Sequence, residues 1–270
     1  MIKFDYHIHT SHSIDSKSSM DDMILRAMDL GLEEIAITDH VDFTYPDNAI
    51  LSPFGVADNV LKIREMREKY AGKISILTGI EFGLRTDTAE VTQEIADTFD
   101  FDFIIGSAHE IGEFDFSYMA SGKLYQNRTK YEAYGLYLGN LLDTIIACDS
   151  WDVLGHLDYV ERYGIYEDKS LHYADFSDII DEILRYVISL GKGIELNTSG
   201  YRYGRGSSYP GADIIARYKA LGGEIITIGS DAHCPAHIAI GFEEAYDVLR
   251  NMGIHHIARF KQRTPIFTKI

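Results

Sequence analysis

Residues 4–9 read Phe4-Asp5-Tyr6-His7-Ile8-His9, a short strand-like run that finishes in two potential metal ligands. His7 and His9 are two apart, so on an extended chain both side chains point to one face. The same arrangement recurs along the chain. Further β-type runs are expected at 34–38, 74–81, 103–109, 153–156, 193–197 and 224–230. They are rich in Ile and other apolar residues and alternate little, as parallel strands covered on both faces do. Between them fall 3.6-residue patterns. Met20, Met23, Ile24, Ala27, Met28 and Leu30 form one apolar stripe, opened by Ser19 and Asp22 and closed by Gly31. Phe176 through Ile188 forms another, closed by Gly191, and helices also fit about 56–71, 88–98, 129–147, 211–221 and 241–252. Seven strand–helix alternations predict a parallel sheet with right-handed crossovers, and at this length a closed or nearly closed (β/α) barrel over 1–270 as one domain. A doubly wound open sheet is the alternative. The Gly-x-Gly-x-x-Gly turn that would favour it is missing after the first strand. Longer connections at 41–55, 158–175 and 198–211 suit loops over a binding face.

Composition narrows the function. The chain has 270 residues with 46% apolar and 25% charged residues, and 42 Asp+Glu against 25 Lys+Arg set a net charge of −17. That balance argues against a nucleic-acid partner, whose affinity comes mainly from Lys and Arg at phosphates. No apolar run is long enough to span a membrane, and no secretory signal precedes the first strand. With Cys148 and Cys234 alone, a disulfide framework is not expected, and the reading is a cytoplasmic protein.

Ligand-type side chains then fall at the strand ends: His7 and His9, His40, Glu81, His109, His156, and Asp231 with His233. A single histidine at a strand end is more often a hydrogen-bonded structural residue, Glu81 alone could pair with an arginine, and Asp231 alone could cap a helix. Together they occupy the C-terminal ends of six of the seven strands. That is the face on which (β/α) barrels build active sites, and chance would scatter such residues over both ends. A polynuclear metal site follows. Imidazole and carboxylate donors without thiolates suit Zn, Mn or Fe, and argue against a structural zinc site. Asp15, in the loop after the first strand, competes with His12 for a place in it. His172, His237, His255 and His256 read as surface residues, and Cys234 as a bystander.

The ordered elements His7-Ile8-His9-Thr10 with Asp15, Thr38-Asp39-His40, Gly79-Ile80-Glu81, Gly106-Ser107-Ala108-His109, Gly155-His156-Leu157-Asp158, Glu195-Leu196-Asn197-Thr198-Ser199-Gly200 and Gly229-Ser230-Asp231-Ala232-His233 resemble the PHP superfamily, named for polymerase and histidinol phosphatase domains. Within it the chain looks most like the histidinol-phosphate phosphatases of histidine biosynthesis. The resemblance implies a distorted seven-stranded (β/α) barrel with up to three divalent ions. Carried over position by position, the first ion would take His7, His9, Glu81 and Asp231. The second would share Glu81 and add His109 and His156, and the third would take Asp15, His40 and His233. Glu81 would bridge two ions and orient the hydroxide that attacks phosphorus, with no phosphoenzyme intermediate. The substrate would be a small phosphate ester, L-histidinol phosphate first and a nucleotide or similar ester as the alternative.

Phosphate recognition favours the forked guanidinium of arginine. Arg162, in the loop after the fifth strand, and Arg202, after the sixth, are the expected contacts, with Arg205 a weaker one. Asp42, Phe43, Glu110 and Asp115 are candidates to receive the substrate's ammonium and imidazole, each also readable as a solvated loop residue. An amidohydrolase also starts with His-x-His, but such enzymes commonly bridge their metals with a modified lysine, where Glu81 and His109 stand here. A vestigial, non-catalytic barrel would have lost ligands, and none is missing.

Overall fold

The computed structural model describes residues 3–43, 53–111, 114–115 and 122–270. The connection expected at 41–55 therefore lies largely outside the described residues.

Seven strands, β1 (Phe4–Ile8), β2 (Glu34–Ile37), β4 (Ser75–Gly83), β5 (Phe103–Ser107), β8 (Val153–Leu154), β9 (Gly193–Asn197) and β10 (Ile226–Gly229), pair in parallel in that order. A two-residue strand, β3 (His40–Val41), continues the line of β2 against β4 in unchanged register. Between the two, the Asp39 carbonyl still accepts from the Glu81 amide of β4 (3.2 Å), while the Thr38 amide donates to Ile8 of β1 on the other side (2.8 Å). The barrel nearly closes. Between β10 and β1 there is one bridge, Ile8 to Ala232, reinforced by the His9 amide on the Ala232 carbonyl (2.9 Å). Asp5 fills the rest of that seam by accepting from the amides of Ser230 (2.9 Å) and Ala239 (3.2 Å). Burial pushes its carboxyl up to about 6 against the pull of these donors.

The helices are α1 (Met20–Asp29), α2 (Pro53–Lys69), α3 (Ala89–Thr98), α4 (Gly122–Tyr125), α5 (Lys130–Ala147), α6 (Ser177–Ser189), α7 (Ser199–Arg202), α8 (Ala212–Ala220) and α9 (Phe242–Asn251), of which the short α7 lies at the C-terminal end of β9 beside the Asp231 turn. The expected start of α1 is present, with Ser19 accepting from the Asp22 amide. Gly31, at φ +76°, follows its last turn. Met20, Met23, Ile24 and Ala27 from α1 pack with Ile35 and Ile37 of β2 and Ile63 and Met66 of α2. The main core fills the barrel and the space under α5, α6 and α9, around Trp151, Phe82, Phe103 and Phe242.

Two hairpins were not expected from sequence: β6 (Glu110–Ile111) with β7 (Phe114–Asp115), and β11 (His256–Lys261) with β12 (Thr264–Lys269). The second closes the N-terminal end of the barrel. Phe260 packs on Phe103 with ring centroids 4.9 Å apart and donates its amide to the Tyr6 hydroxyl (3.0 Å). Arg259 forks onto Glu34 at the start of β2 (2.8 and 2.7 Å). With that end plugged, the strand C-termini form the accessible mouth.

Candidate metal centre

Glu81, near the C-terminal end of β4, is fully buried, and its two carboxylate oxygens face different histidines. Oε2 stands 3.0 Å from His7 Nε2, 3.5 Å from His9 Nε2 and 3.0 Å from His40 Nδ1. Oε1 stands 3.1 Å from His156 Nε2 and 3.3 Å from His109 Nε2, and accepts from the Ser107 hydroxyl (2.6 Å). Five imidazoles from β1, β3 and the ends of β5 and β8 thus converge on one carboxylate. Asp231 joins at the first group, with Oδ1 3.5 Å from His9 Nε2. It adopts φ +54°, an uncommon conformation that aspartate tolerates and that is often found at functional sites. Asp15 approaches from the loop after β1, with Oδ2 2.8 Å from His233 Nε2 and 3.7 Å from His40 Nε2. His12 instead turns its Nδ1 to the Thr10 hydroxyl (3.2 Å). All nine expected ligand residues therefore come together at one mouth.

Protons alone satisfy this arrangement poorly. His9 Nε2, His40 Nδ1 and His233 Nε2 are buried and lack a hydrogen-bond partner despite the nearby carboxylates. Burial pulls the His7 imidazole down, but Glu195 and Glu81 hold it well above its ordinary value. His9 goes the other way, lowered by burial and by the His233 and His40 imidazoles. Burial disfavours ionised Glu81, yet His7, His40 and His109 keep its carboxyl well below the usual range. The same contest, won by His40 and His233, lowers Asp15. Crowded imidazole nitrogens around ionised carboxylates are a donor set that fits borderline divalent cations. Among the described residues, the four groups able to hold such an ion all lie here: His7-His9-Glu81, Glu81-His109-His156, His9-His40-His233 and His40-Asp42-His109.

Outer partners decide which ring nitrogen faces inward. Ser13 Oγ has one proton, which it donates to Asp39 (2.7 Å), so toward His9 Nδ1 (3.1 Å) it can only accept. His233 Nδ1 meets the Asp231 carbonyl (3.0 Å) and must donate to it. Asp42 faces His109 Nδ1 (2.9 Å), and Glu195 faces His7 Nδ1 (2.6 Å). In each case a proton on Nδ1 leaves the Nε2 lone pair for the centre.

A cavity of about 240 Å³ opens over these residues, lined also by Tyr159, Arg162, Tyr163 and Tyr203. Larger grooves, of about 650 Å³ beside Leu32 and Ile74 and about 510 Å³ beside Lys219 and Phe267, hold none of the four ligand groups. Arg162 lies 4.3 Å over the Tyr203 ring and 4.8 Å over the Tyr159 ring, and its Nη2 donates to Ser199 (2.6 Å) and Asp231 (3.0 Å). Its buried Nε has no partner.

The other two arginines depart from expectation. Arg202 donates to the backbone carbonyls of Ser230 and Asp231 and is absent from the cavity lining. Arg205 is held between Asp158 (2.7 Å) and Glu161 (2.7 Å), also off the cavity. Both guanidiniums answer acceptors on neighbouring loops, after β10 for Arg202 and after β8 for Arg205, a demand that loop position alone does not reveal. Of the residues considered for the substrate's ammonium and imidazole, Asp42 lines the cavity, whereas Glu110 pairs with Arg85 (2.5 Å) and Phe43 packs against the core. The side chain of Asp115 lies outside the described residues. His172, His255 and His256 are exposed as expected, but His237 is half-buried. Sequence reading assigned no role to Glu195, Ser13 or Asp39. For Glu195 the signal was an acid inside an otherwise apolar strand, on the same face as Asn197.

Comparison with known proteins agrees with this architecture. The PHP domain family model matches residues 5–199. A histidinol-phosphatase of Lactococcus lactis subsp. lactis is 33% identical over 260 residues, covering 96% of this chain and 95% of its own. A Clostridium acetobutylicum protein named "Probable histidinol-phosphatase" is 31% identical, with 93% and 94% covered. The crystal structure of the Lactococcus lactis histidinol phosphate phosphatase, complexed with Zn, L-histidinol and phosphate, superposes with a TM-score of 0.89 at 32% identity, covering 98% of each chain. The chain belongs to the PHP domain family, among its histidinol-phosphatases.

Proposed function

We infer that this chain is a metal-dependent phosphomonoesterase that hydrolyses L-histidinol phosphate to L-histidinol and phosphate. The observation that carries the reading is the two-sided environment of Glu81, whose oxygens separate His7, His9 and His40 from His109 and His156. The near full-length similarity to a Lactococcus lactis histidinol-phosphatase supports the choice of substrate.

In this reading His7, His9, Glu81 and Asp231 hold one ion, Glu81, His109 and His156 a second, and Asp15, His40 and His233 a third, each Zn, Mn or Fe. Bound there, divalent ions supply an activated water near neutral pH and neutralise charge on the phosphoryl oxygens. The protein's own part is to place the ester. Arg162, held over Tyr159 and Tyr203, presents its guanidinium to phosphate oxygens in the cavity that His109 and His40 also line. Asp42, the acid on that wall, keeps the His109 ring in place and adds negative charge for the substrate's ammonium.

No described helix is long and apolar enough to cross a membrane. The net charge of −17 supports a small phosphate ester over a nucleic acid as the partner, and the scarcity of cysteine supports a cytoplasmic site of action. The test is phosphate release from a panel of L-histidinol phosphate, nucleotides and p-nitrophenyl phosphate, with metal analysis of the same sample. Preference for L-histidinol phosphate with bound divalent metal is the expected result. Preference for a nucleotide would overturn the substrate assignment.

A further inference from the structure

Glu195 sits inside the barrel on β9, with 1% of its surface exposed, and no lysine or arginine among the described residues pairs with it. Its Oε1 faces His7 Nδ1 at 2.6 Å. Its Oε2 accepts from the backbone amide of His156 (3.1 Å) and from Asn197 Nδ2 (3.1 Å). Asn197 is itself fixed, its Oδ1 accepting from the amide and hydroxyl of Ser199. The carboxylate therefore receives three donors that only an acceptor on both oxygens can satisfy. Space for it is provided by a missing side chain on the next strand: a Cβ on Gly229 would overlap both Glu195 Oε1 and His7 Cβ.

We propose that Glu195 is a positioning residue for the metal centre, holding His7 as its Nδ1–H tautomer through Oε1 and anchoring the backbone of His156 through Oε2. This rests on the metal-centre reading above. His7 belongs to the group on one side of Glu81 and His156 to the group on the other, so one buried carboxylate sets a ligand in each. An outer carboxylate of this kind orients the imidazole and raises its basicity toward the ion, and losing one typically lowers metal affinity about 10–100-fold.

Glu195→Gln keeps the shape but breaks the pattern. With its oxygen toward His7, the amide nitrogen meets the His156 and Asn197 donors. With its nitrogen toward His7, the Nδ1 proton must leave, and Nε2 takes it and stops being a ligand.

The experiment titrates metal-free wild type and E195Q with zinc alone, against a chromophoric chelator, with circular dichroism of the metal-free chains as the fold control. Expected is a wild-type spectrum for E195Q and zinc binding weakened about 10–100-fold at two ions. Zinc affinity within about twofold of wild type in folded E195Q overturns the proposal. If E195Q does not fold, long-range ¹H–¹⁵N spectra of the zinc-loaded wild type decide instead: a protonated His7 Nδ1 supports the proposal, and a bare or zinc-bound Nδ1 overturns it. No substrate enters either measurement, so an error in the substrate assignment leaves them intact. Failure of the metal-centre reading is distinguished by a wild type that binds no zinc, which overturns both.

Discussion

His7 Nε2 lies 3.0 Å from Glu81 Oε2, and neither side chain is exposed to solvent. An isolated pair of this kind would be an ion pair held together by one proton. Here the same carboxylate also faces His9, His40, His109 and His156, more imidazoles than one carboxylate can hydrogen-bond. Replacing Glu81 by Ala is expected to abolish phosphate release and to lower metal content in both groups that share it. The loss should exceed the roughly 100-fold typical of removing an outer partner. Metal per chain and turnover, measured on one preparation, check this. Full activity in the variant would exclude a bridging role.

Arg162 and Arg202 part company in what they touch. Arg162 lines the cavity, so Arg162→Ala should raise KM for the phosphate ester at least about tenfold while leaving metal bound. Arg162→Lys should not restore it, because a point charge cannot reproduce a fork stacked between the Tyr159 and Tyr203 rings. Arg202 grips the carbonyls of Ser230 and Asp231, so Arg202→Ala should loosen the Asp231 turn. Its expected signature is weaker metal binding, with KM changed less than in Arg162→Ala. Equal KM effects in the two alanine variants, with metal retained in both, would refute this division.

The sequence made these two arginines look equivalent, since each lies in a loop after a strand. What separates them is the acceptor each meets across the fold. The same limit explains Glu195, Asp42 and Ser13, whose roles come from neighbours on other strands or loops. The strands were legible for the opposite reason. A parallel strand buried on both faces must be largely apolar, so Phe103–Ser107 announces itself. The ligands were legible because their type is rare at strand ends and their position repeats. The hairpin of β11 and β12 is not legible in the sequence: β12 is mostly exposed, and little in its composition marks it as a plug for the barrel.

Removing metal should destabilise the fold as well as silence it. Each ion bound to the native chain at about a thousand times its Kd contributes about 4 kcal/mol. For a chain of this size that corresponds to about 10 °C in Tm per ion. The cause is local: without cations, His9 Nε2, His40 Nδ1 and His233 Nε2 are buried without partners. Thermal melts before and after chelation, and after adding back Zn²⁺ or Mn²⁺, provide the measurement. An unchanged Tm in protein verified to be metal-free would contradict the prediction.

Behind the cavity wall, Arg205 serves two buried acids, Asp158 and Glu161, and one positive charge cannot neutralise both. Burial, with Asp158 adding to it, pushes the Glu161 carboxyl up to about 8 against the pull of Arg205 and the Leu171 amide. The folded chain therefore keeps a proton on Glu161 that the unfolded chain releases near its ordinary value of 4.5. Between those limits the native state binds more protons than the unfolded one, so this contribution to stability is full below about 4.5 and is lost as pH rises through about 8. Glu161→Gln, which stays neutral, should remove that slope. Comparing melts of wild type and E161Q at saturating Zn²⁺ from pH 5 to 9 cancels the proton dependence of metal binding, which both share. The wild type is expected to lose stability relative to E161Q as pH rises, most steeply between about pH 5.5 and 7, and to level off above about 8. Parallel profiles would mean that Glu161 is ionised throughout, with Arg205 able to hold both acids as anions.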